Sequence, residues 1–555
     1  MLRESSTPWR EGDKRSHKGL PLKSIMHQLY WMSLNIFITV ILSLVVTFFP
    51  GTPIFAAGKL GNVGTFKKWS KVEVMLQGPK SIGTSTSPNP FKQIVTVGFV
   101  APNGQTYEVP AFYDGDGNGD INGTVWKARF SPDVLGIWTF SSMSEDASLD
   151  NYQGSFKVEP VEEGAHYFAK WGRLEYVGDH YLKFRDGSYW LKGGADEPES
   201  FLGPDVMGNW QDKKSIVDYL NSKGVNSLYI MLQNVDGDGK NVWPWLSPKD
   251  SEHFDIVKLA EWEDLFCYLQ AKGIVLHLVF EDDSGWTGFN RVMYYREMIA
   301  RFAHHNGLYW NISEEYGENY SANQIKSFAA LIRDLDPYDH PLTVHNVGSL
   351  DAWNPFLGDD RFDLTSFQTN SNPQNQSTIE WRAKSRSAGR RLAVSHDETG
   401  QFRERDRDKS RHMVWAVYLG GGMIELFTRD VAKKGFQVFE DFWNDMGHAR
   451  EFLEALPFWE MAPNNQLLLG GTGNRYCFAR VGDVYGGYLQ NGGMVSLDLR
   501  EHPGIYEVKW YEVKTGKFSD GFTISGDAVV ALGRPAFSGD VAVLVQRKHS
   551  SRAGR

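Results

Sequence analysis

Cysteine is almost missing from this chain: its 555 residues include two, Cys267 and Cys477. A disulfide framework is therefore excluded. Cys267 falls in a helix-like stretch and Cys477 in the strand-like Arg475-Tyr476-Cys477-Phe478, so both read as small buried apolar residues, neither nucleophiles nor zinc ligands. Several motifs are also lacking: there is no Gly-x-Ser-x-Gly elbow, no Gly-rich phosphate loop and no His-Glu-x-x-His pair. Those absences remove the serine-hydrolase, phosphate-loop nucleotide-binding and zinc-protease readings, and no cofactor is called for. Positive charge is short as well, with Lys+Arg at 58 against Asp+Glu at 68 and a formal charge of -10. Without a Lys/Arg block beyond the first residues, nucleic acid is not an expected partner.

The residues that are present describe a globular chain: 41% are hydrophobic, 14% aromatic and 23% charged. From Ser24 to Gly58 there is no Asp, Glu, Lys or Arg, and Leu29 to Pro50 is almost wholly apolar. Arg3, Arg10, Lys14, Arg15, Lys18 and Lys23 precede that run and outweigh Glu4, Glu11 and Asp13. This order is an export signal, so residues 1–58 are expected to act as a signal peptide or a membrane anchor. Small residues at Ala56-Ala57 suit cleavage, while the apolar run at 29–50 is long enough to anchor the chain in a bilayer. Either way the rest of the chain is expected outside the cytoplasm.

Three regions follow, with a short tail at 549–555. Residues 59–162 alternate polar and apolar, as in Lys71-Val72-Glu73-Val74 and Val125-Trp126-Lys127-Ala128-Arg129-Phe130, with Asn103-Gly104 turning between Ile94–Val100 and Tyr107–Val109. The pattern predicts an antiparallel β-sandwich. Residues 457–548 repeat it, with Gly486-Gly487-Tyr488-Leu489, Ser496–Leu499, Tyr506–Val513 and Val541–Val545, and predict a second sandwich. Between them, residues 163–456 alternate short apolar runs with longer amphipathic ones. The expected strands are Tyr189–Lys192, Ser227–Leu232, Ile274–Phe280, Leu308–Ile312, Leu342–His345, Asp363–Phe367, Leu392–Ser395 and Gly422–Leu426, which fits a (β/α)8 barrel of the α/β class. Ile325 to Leu335 has the 3–4 spacing of a helix that faces one side, and Pro337 stops it.

In such a barrel the reacting groups lie beyond the C-terminal ends of the strands. Asp196-Glu197 follow the first expected strand, Glu281-Asp282-Asp283 the third, Glu314-Glu315 the fourth and Asp397-Glu398 the seventh, while Glu425 lies within the eighth. Carboxylates thus recur where basic residues are scarce, and the expected cavity is acidic. Glu425 sits in Gly422-Met423-Ile424-Glu425-Leu426-Phe427, where an unpaired charge is costly, so a polar partner or a place on the pocket wall is required. Two carboxyls facing each other suit glycoside hydrolysis: one protonates the leaving oxygen while the other attacks C1 or activates water.

Trp310-Asn311-Ile312-Ser313-Glu314-Glu315 resembles the acid/base signature of clan A (β/α)8 glycoside hydrolases, and Ala393-Val394-Ser395-His396-Asp397-Glu398 their nucleophile strand. The chain is more closely similar to secreted bacterial glycosidase-like proteins that begin with domain of unknown function 5060, continue into an apiosidase-like barrel and end in a collagen-binding-type β-sandwich. Phe112-Tyr113-Asp114, Trp126 to Pro132, Leu191-Lys192-Gly193-Gly194-Ala195-Asp196 and Asn241-Val242-Trp243-Pro244-Trp245 carry that likeness. It implies a retaining hydrolase of an extracellular polysaccharide or oligosaccharide, with Glu315 as acid/base and Glu398 as nucleophile. Around them Asp196, Glu281, Trp310, Asn311, Glu314, His345, Asp397, Glu425 and Trp243 are expected to meet the sugar. The chain departs from the clan pattern at Glu314, where Asn usually holds the substrate 2-hydroxyl, and at Glu425, where many members have Trp.

Two other readings stand beside this one. A carbohydrate-binding protein without chemistry needs neither Glu315 nor Glu398. A polysaccharide lyase needs positive charge or a metal to neutralise a uronate, which an acidic pocket opposes unless Arg291 or Arg403 turns inward. No metal is expected in the barrel. The one loop with calcium-like spacing is Asp114-x-Asp116-x-Asn118-Gly119-Asp120, but its twelfth position is Val125 where a bidentate Glu is normal, so a plain turn with at most weak calcium binding is expected.

Overall fold

The computed structural model describes residues 54–55 and 61–548, apart from 197–199, 205–210, 238, 287, 347, 370–373, 430 and 536. The apolar run at 29–50, the expected cleavage point at Ala56-Ala57, Glu197 and the tail at 549–555 lie outside the described residues. No helix among those described is long and apolar enough to cross a membrane.

Alternating side chains build the first region into two facing sheets. One holds Val72–Ser81, Gly123–Phe130, Phe112–Tyr113 and Ile54–Phe55; the other holds Gly61–Lys67, Gln153–Glu159, Gly136–Ser144, Val95–Val100 and Thr106–Pro110. Inward residues meet between them, with Phe99 stacked on Phe130 at 4.3 Å. The turn at Asn103-Gly104 is present, and Gly104 takes the left-handed φ of +87° that the turn requires. Two pairings are parallel: Gly61–Lys67 on Gln153–Glu159, where antiparallel was expected, and Ile54–Phe55, within the segment expected to be a signal peptide or anchor, on Val72–Ser81. Tight hairpins join only antiparallel neighbours, whereas Gly61–Lys67 passes through Trp69, at φ +65°, into the opposite sheet.

The central region is a parallel barrel. Its strands are β1 (Gly193–Asp196), β2 (Ser227–Met231), β3 (Val275–Glu281), β4 (Leu308–Ser313), β5 in two pieces (Leu342–Thr343 and His345–Asn346), β6 (Ser366–Thr369), β7 (Ser395–Phe402) and β8 (Met423–Thr428). Each pairs with its sequence neighbours and β8 pairs with β1. The first piece of β5 bonds β4 and the second bonds β6, so the ring closes through Val344. Strands β1, β6 and β7 begin well after their expected starts, at Gly193, Ser366 and Ser395. Tyr189 bridges back to Lys183 and leaves β1 to Gly193–Asp196, where a side chain is unwelcome: a Cβ on Gly194 would lie 2.4 Å from Glu425 Cγ. Strands β6 and β7 start at Ser366 and Ser395, each after the isolated parallel bridge that joins Leu364 to Ala393. The helices α1 (Lys213–Ser222), α2 (Ile256–Ala271), α3 (Arg291–Phe302), α4 (Ala322–Leu335), α5 (Gln374–Ser387), α6 (Arg407–Leu419) and α7 (Glu440–Glu454) surround the strands. Ser321 and Gln324 form a capping box that starts α4 three residues before the expected Ile325, and Ile325, Ala329 and Ile332 face the strands.

The C-terminal region is antiparallel throughout, in one sheet built on Ile505–Glu512 and Val541–Arg547 and a smaller one of Leu468–Gly470, Val495–Asp498 and Val529–Ala531. Both flanking regions are locked to the barrel by buried charge. Glu263 on α2 receives Lys71 at 2.8 Å and Arg129 at 3.2 Å from the first sandwich, and His304 and His305 at 3.1 Å each. On the other side Asp540 accepts from Arg411 and from His412 at 2.8 Å, and Trp415 stacks on Tyr488 at 5.2 Å. Lys71 and Arg129 at Glu263, and Arg411 at Asp540, satisfy carboxylates that burial would otherwise push toward neutrality. Cys267 touches Glu263 at 3.4 Å and Cys477 is buried; burial pushes both thiols up to about 12, as inert structural cysteines.

Candidate active site

A strand's side chains alternate between its two faces, and parity on β4 sorts the candidates. Tyr309, Asn311 and Ser313 share the inward parity. Trp310 has the other: it packs on Phe280 and donates its indole N–H to Asp336 at 3.1 Å, behind the barrel wall. The expectation that Trp310 meets the sugar is therefore corrected. Glu315 stands one turn beyond β4 at φ +30°, a left-handed conformation that Glu rarely adopts. It is held there by the Glu314 N–H donating to the Glu281 carbonyl at 2.9 Å and the Glu318 N–H donating to the Glu315 carbonyl at 3.0 Å.

Glu315 and Glu398 come together through a residue that the sequence reading missed. Gln368, on β6, donates its side-chain Nε2 to Glu315 Oε1 and, at 2.6 Å, to Glu398 Oε2. Its carbonyl accepts the Gly348 N–H at 3.3 Å, which fixes the amide with nitrogen toward the carboxylates. Two hydrogen bonds meeting at one nitrogen place those oxygens no more than roughly 6 Å apart. His345, on the second piece of β5, is fully buried, with Nε2 at 3.5 Å from Glu398 and 3.7 Å from Glu314, and Nδ1 at 3.0 Å from Ser366 Oγ. The only sequence signal for Gln368 is its position, one residue past the expected sixth strand.

The two carboxyls titrate apart. Burial, then the charge of Glu398, raises Glu315 to about 7. Burial also acts to raise Glu398, but hydrogen bonding and charge from His345, with Gln368 and Gln401, outweigh it and hold Glu398 below the usual range. Burial opposes charge on His345, yet Glu314 and Glu398 prevail and bring it up to about 9, so an imidazolium stands beside both carboxyls. Glu318 adds to the rise of Glu315, and Asp283, Glu315 and Glu318 each have a carboxylate oxygen within 4.8 Å of the others.

Other candidates are placed elsewhere. Glu425 is fully buried inside the barrel, where it accepts from Ser227 Oγ at 2.6 Å and His277 Nδ1 at 2.9 Å, with Lys192 Nζ at 3.3 Å. Asp397 pairs with the same Lys192 and with Ser395 Oγ. Asn311 donates to His277 Nε2 at 3.0 Å and accepts the His345 N–H at 3.0 Å, holding His277 as the neutral tautomer beneath the site. Glu425, Asp397 and Asn311 are thus floor residues that lie under the pair, which corrects their expected contact with sugar. Glu281 is also taken: Arg291 clasps it at 2.6 and 2.8 Å and Tyr320 donates to it at 2.7 Å. That clasp occupies Arg291, and Arg403 is exposed. Asp196 is buried at the end of β1. Trp243 is half-buried on the wall of a cavity of about 690 Å³ with Asn241, Lys258 and Trp262, a lining that includes neither Glu315 nor Glu398.

In the calcium-like loop, Asp114 is drawn to Lys127 at 2.6 Å and Arg301 at 3.4 Å. Asp116 caps the turn, accepting from the N–H groups of Asn118 at 2.7 Å and Asp120 at 3.0 Å. Asp114 and Asp116 are thus directed to these partners, and Asp120 accepts from Asn122 at 2.9 Å.

Residues 65–145 match domain of unknown function 5060. No curated protein matches the chain in sequence. Among solved structures, a proposed glycoside hydrolase from Bacteroides vulgatus ATCC 8482 is 16% identical, with 87% of this chain and all of that one covered at a TM-score of 0.67. A glycoside hydrolase family 5 protein from the same organism is 14% identical over 69% of this chain and 95% of its own, at 0.58. Another glycoside hydrolase is 14% identical over 70% and 99%, at 0.55. The chain has the α/β fold of these proteins, a parallel barrel with flanking antiparallel sheets.

Proposed function

We propose that this protein is a retaining glycoside hydrolase that acts on an extracellular polysaccharide or oligosaccharide. The observation that carries this reading is the pair itself: Glu315 and Glu398 share one amide donor, yet one is raised to about 7 and the other is held low. Retention needs carboxyls about 5–5.5 Å apart and inversion roughly 6.5–9.5 Å, and oxygens bridged by a single nitrogen fall short of the second range. Glu398, ionised beside protonated His345, attacks C1. Glu315, neutral at mildly acidic pH, gives its proton to the leaving oxygen, then takes one from the water that releases the sugar. With Glu315 neutral, Glu314 and Glu398 still outnumber the His345 cation that they face, so a neutral sugar is favoured over a uronate at the bond that breaks. The apiosidase-like barrel, the collagen-binding-type end module and export through residues 1–58 belong to the same proposal.

The test is hydrolysis of a panel of polysaccharides and aryl glycosides, with the anomer of the first product read by NMR. Glu398→Ala is expected to abolish turnover without unfolding the chain, and Glu315→Gln to spare substrates with good leaving groups. Near wild-type activity in Glu398→Ala, an inverted product, or binding of a glycan without turnover by the wild type each refutes the reading.

A further inference from the structure

We propose that Gln368 is a positioning residue that decides which oxygens of the carboxyl pair react, so that Glu398 attacks through Oε1 and Glu315 delivers its proton from Oε2. This rests on the roles given above to Glu315 and Glu398. The amide cannot turn round without placing its carbonyl against two carboxylates and losing the Gly348 N–H. Its two N–H groups therefore occupy Glu315 Oε1 and Glu398 Oε2. The second of these also faces His345 at 3.5 Å, whereas among the described residues Glu398 Oε1 meets Gln401 at 3.5 Å, a long and weak contact. An oxygen that accepts a strong hydrogen bond is the poorer nucleophile, and one that accepts an N–H does not also bear the acidic proton in that direction. The less engaged oxygen of each carboxyl is left for chemistry.

Having a donor on each carboxyl serves the displacement as well. In that step the bond from C1 to the leaving oxygen breaks, Glu398 Oε1 bonds to C1, and the Glu315 proton passes to the leaving oxygen. Negative charge thus moves from Glu398 to Glu315, and Gln368 already has an N–H on each. The amide stabilises the charge before and after without reorienting, which is the preorganisation that makes such donors effective.

Gln368→Met keeps the length and removes both donors. Hydrogen bonds to the charged form lower a carboxyl's pKa, so their loss raises both. In the full-length protein labelled at glutamate Cδ, the NMR titrations of Glu315 and Glu398 are expected to move up together, each by on the order of one unit. With an aryl glycoside that the wild type cleaves, kcat is expected to fall roughly 10–100-fold with KM little changed, and both limbs of the pH profile to shift upward. Gln368→Glu, of the same shape but with at most one hydrogen to donate, is expected to lose a similar factor, and serves if the Met variant fails to fold. Unmoved titrations in a folded variant, or a kcat within about twofold of wild type, overturn the role of Gln368 and leave the glycosidase reading standing. A wild type that cleaves nothing refutes that reading, while the titrations still report whether Gln368 couples the two carboxyls.

Discussion

Replacing Lys192 by Met tests how the barrel floor is built. The ammonium is fully buried and reaches three groups: Asp397, Glu425 Oε2 at 3.3 Å and the Tyr309 hydroxyl at 3.0 Å. Two carboxylates thus depend on one cation, helped by His277, which burial keeps below its ordinary pKa. Met nearly conserves the volume, and a swap judged on packing alone costs under about 1.5 kcal/mol. Removing one partner of a buried ion pair costs about 3–5 kcal/mol, since it strands a charge. The larger figure applies here, a fall in Tm on the order of 5–15 °C. The pH dependence has a definite sign. Burial works to raise Asp397, but Lys192, then His277, hold it at about 2, so in the wild type its contribution is present above the ordinary 3.8 and lost as pH falls through about 2. Without Lys192 burial dominates and the Asp397 pKa rises above 3.8. The variant then loses stability as pH rises, and its deficit is greatest near pH 7–8 and smallest near pH 4. Thermal unfolding of both proteins from pH 4 to 8 measures this. Adding Asp397→Asn is expected to recover much of the loss by removing the stranded charge. A deficit below about 1.5 kcal/mol at pH 7, or one that grows toward acid, refutes the reasoning.

For the wild type, kcat/KM is expected to fall above about pH 7 as Glu315 loses its proton, and to hold on the acid side to below the usual glutamate range because Glu398 is kept low; a profile still rising at pH 8 contradicts that assignment. Asp116→Ala is expected to leave any calcium response unchanged, because Asp114 is engaged by Lys127; a rise of several degrees in Tm on adding calcium to the wild type, lost in the variant, reverses this. Export with cleavage is expected to give a mature N-terminus near Ala57, read by sequencing the secreted form; a full-length chain that stays with membranes after a high-salt wash means an anchor.

The barrel was legible where its strands are apolar. Ser227–Leu232, Ile274–Phe280 and Leu308–Ile312 lie within about one residue of β2, β3 and β4, because Val, Leu and Ile on both faces mark a strand covered on both sides. The reading slipped at β1, β6 and β7: Gly193-Gly194 and His396-Asp397, beyond the expected strand ends, look like loop, and Ser366 and Ser395 fall near the ends of their expected strands rather than at the starts. Those residues are strand only because partners elsewhere satisfy them: Gly194 makes room for Glu425, and Ser395 donates to Asp397 beside Lys192. No local pattern contains that information, which depends on strands about 200 residues apart.

At the site, the rule that carboxylates follow strand ends led to Glu315 and Glu398, but it does not tell a charge at the mouth from one on the floor. Asp397 and Glu398 are neighbours, yet one meets Lys192 inside the barrel and the other His345 and Gln368 above it. Parity alone separates them, and parity is readable only once the strand's register is known, as Trp310 shows on β4. Glu425 is the harder case. Its apolar setting correctly called for a polar partner, and Lys192 was in view within Leu191-Lys192-Gly193-Gly194, but nothing in either segment names the other. A buried cation and a buried anion in separate apolar strands of one barrel have few alternatives to each other, because each alone costs several kcal/mol. That constraint, applied to Lys192, Asp397 and Glu425 together, would have assigned them to the floor and left Glu315 and Glu398 as the carboxyls free to meet a sugar.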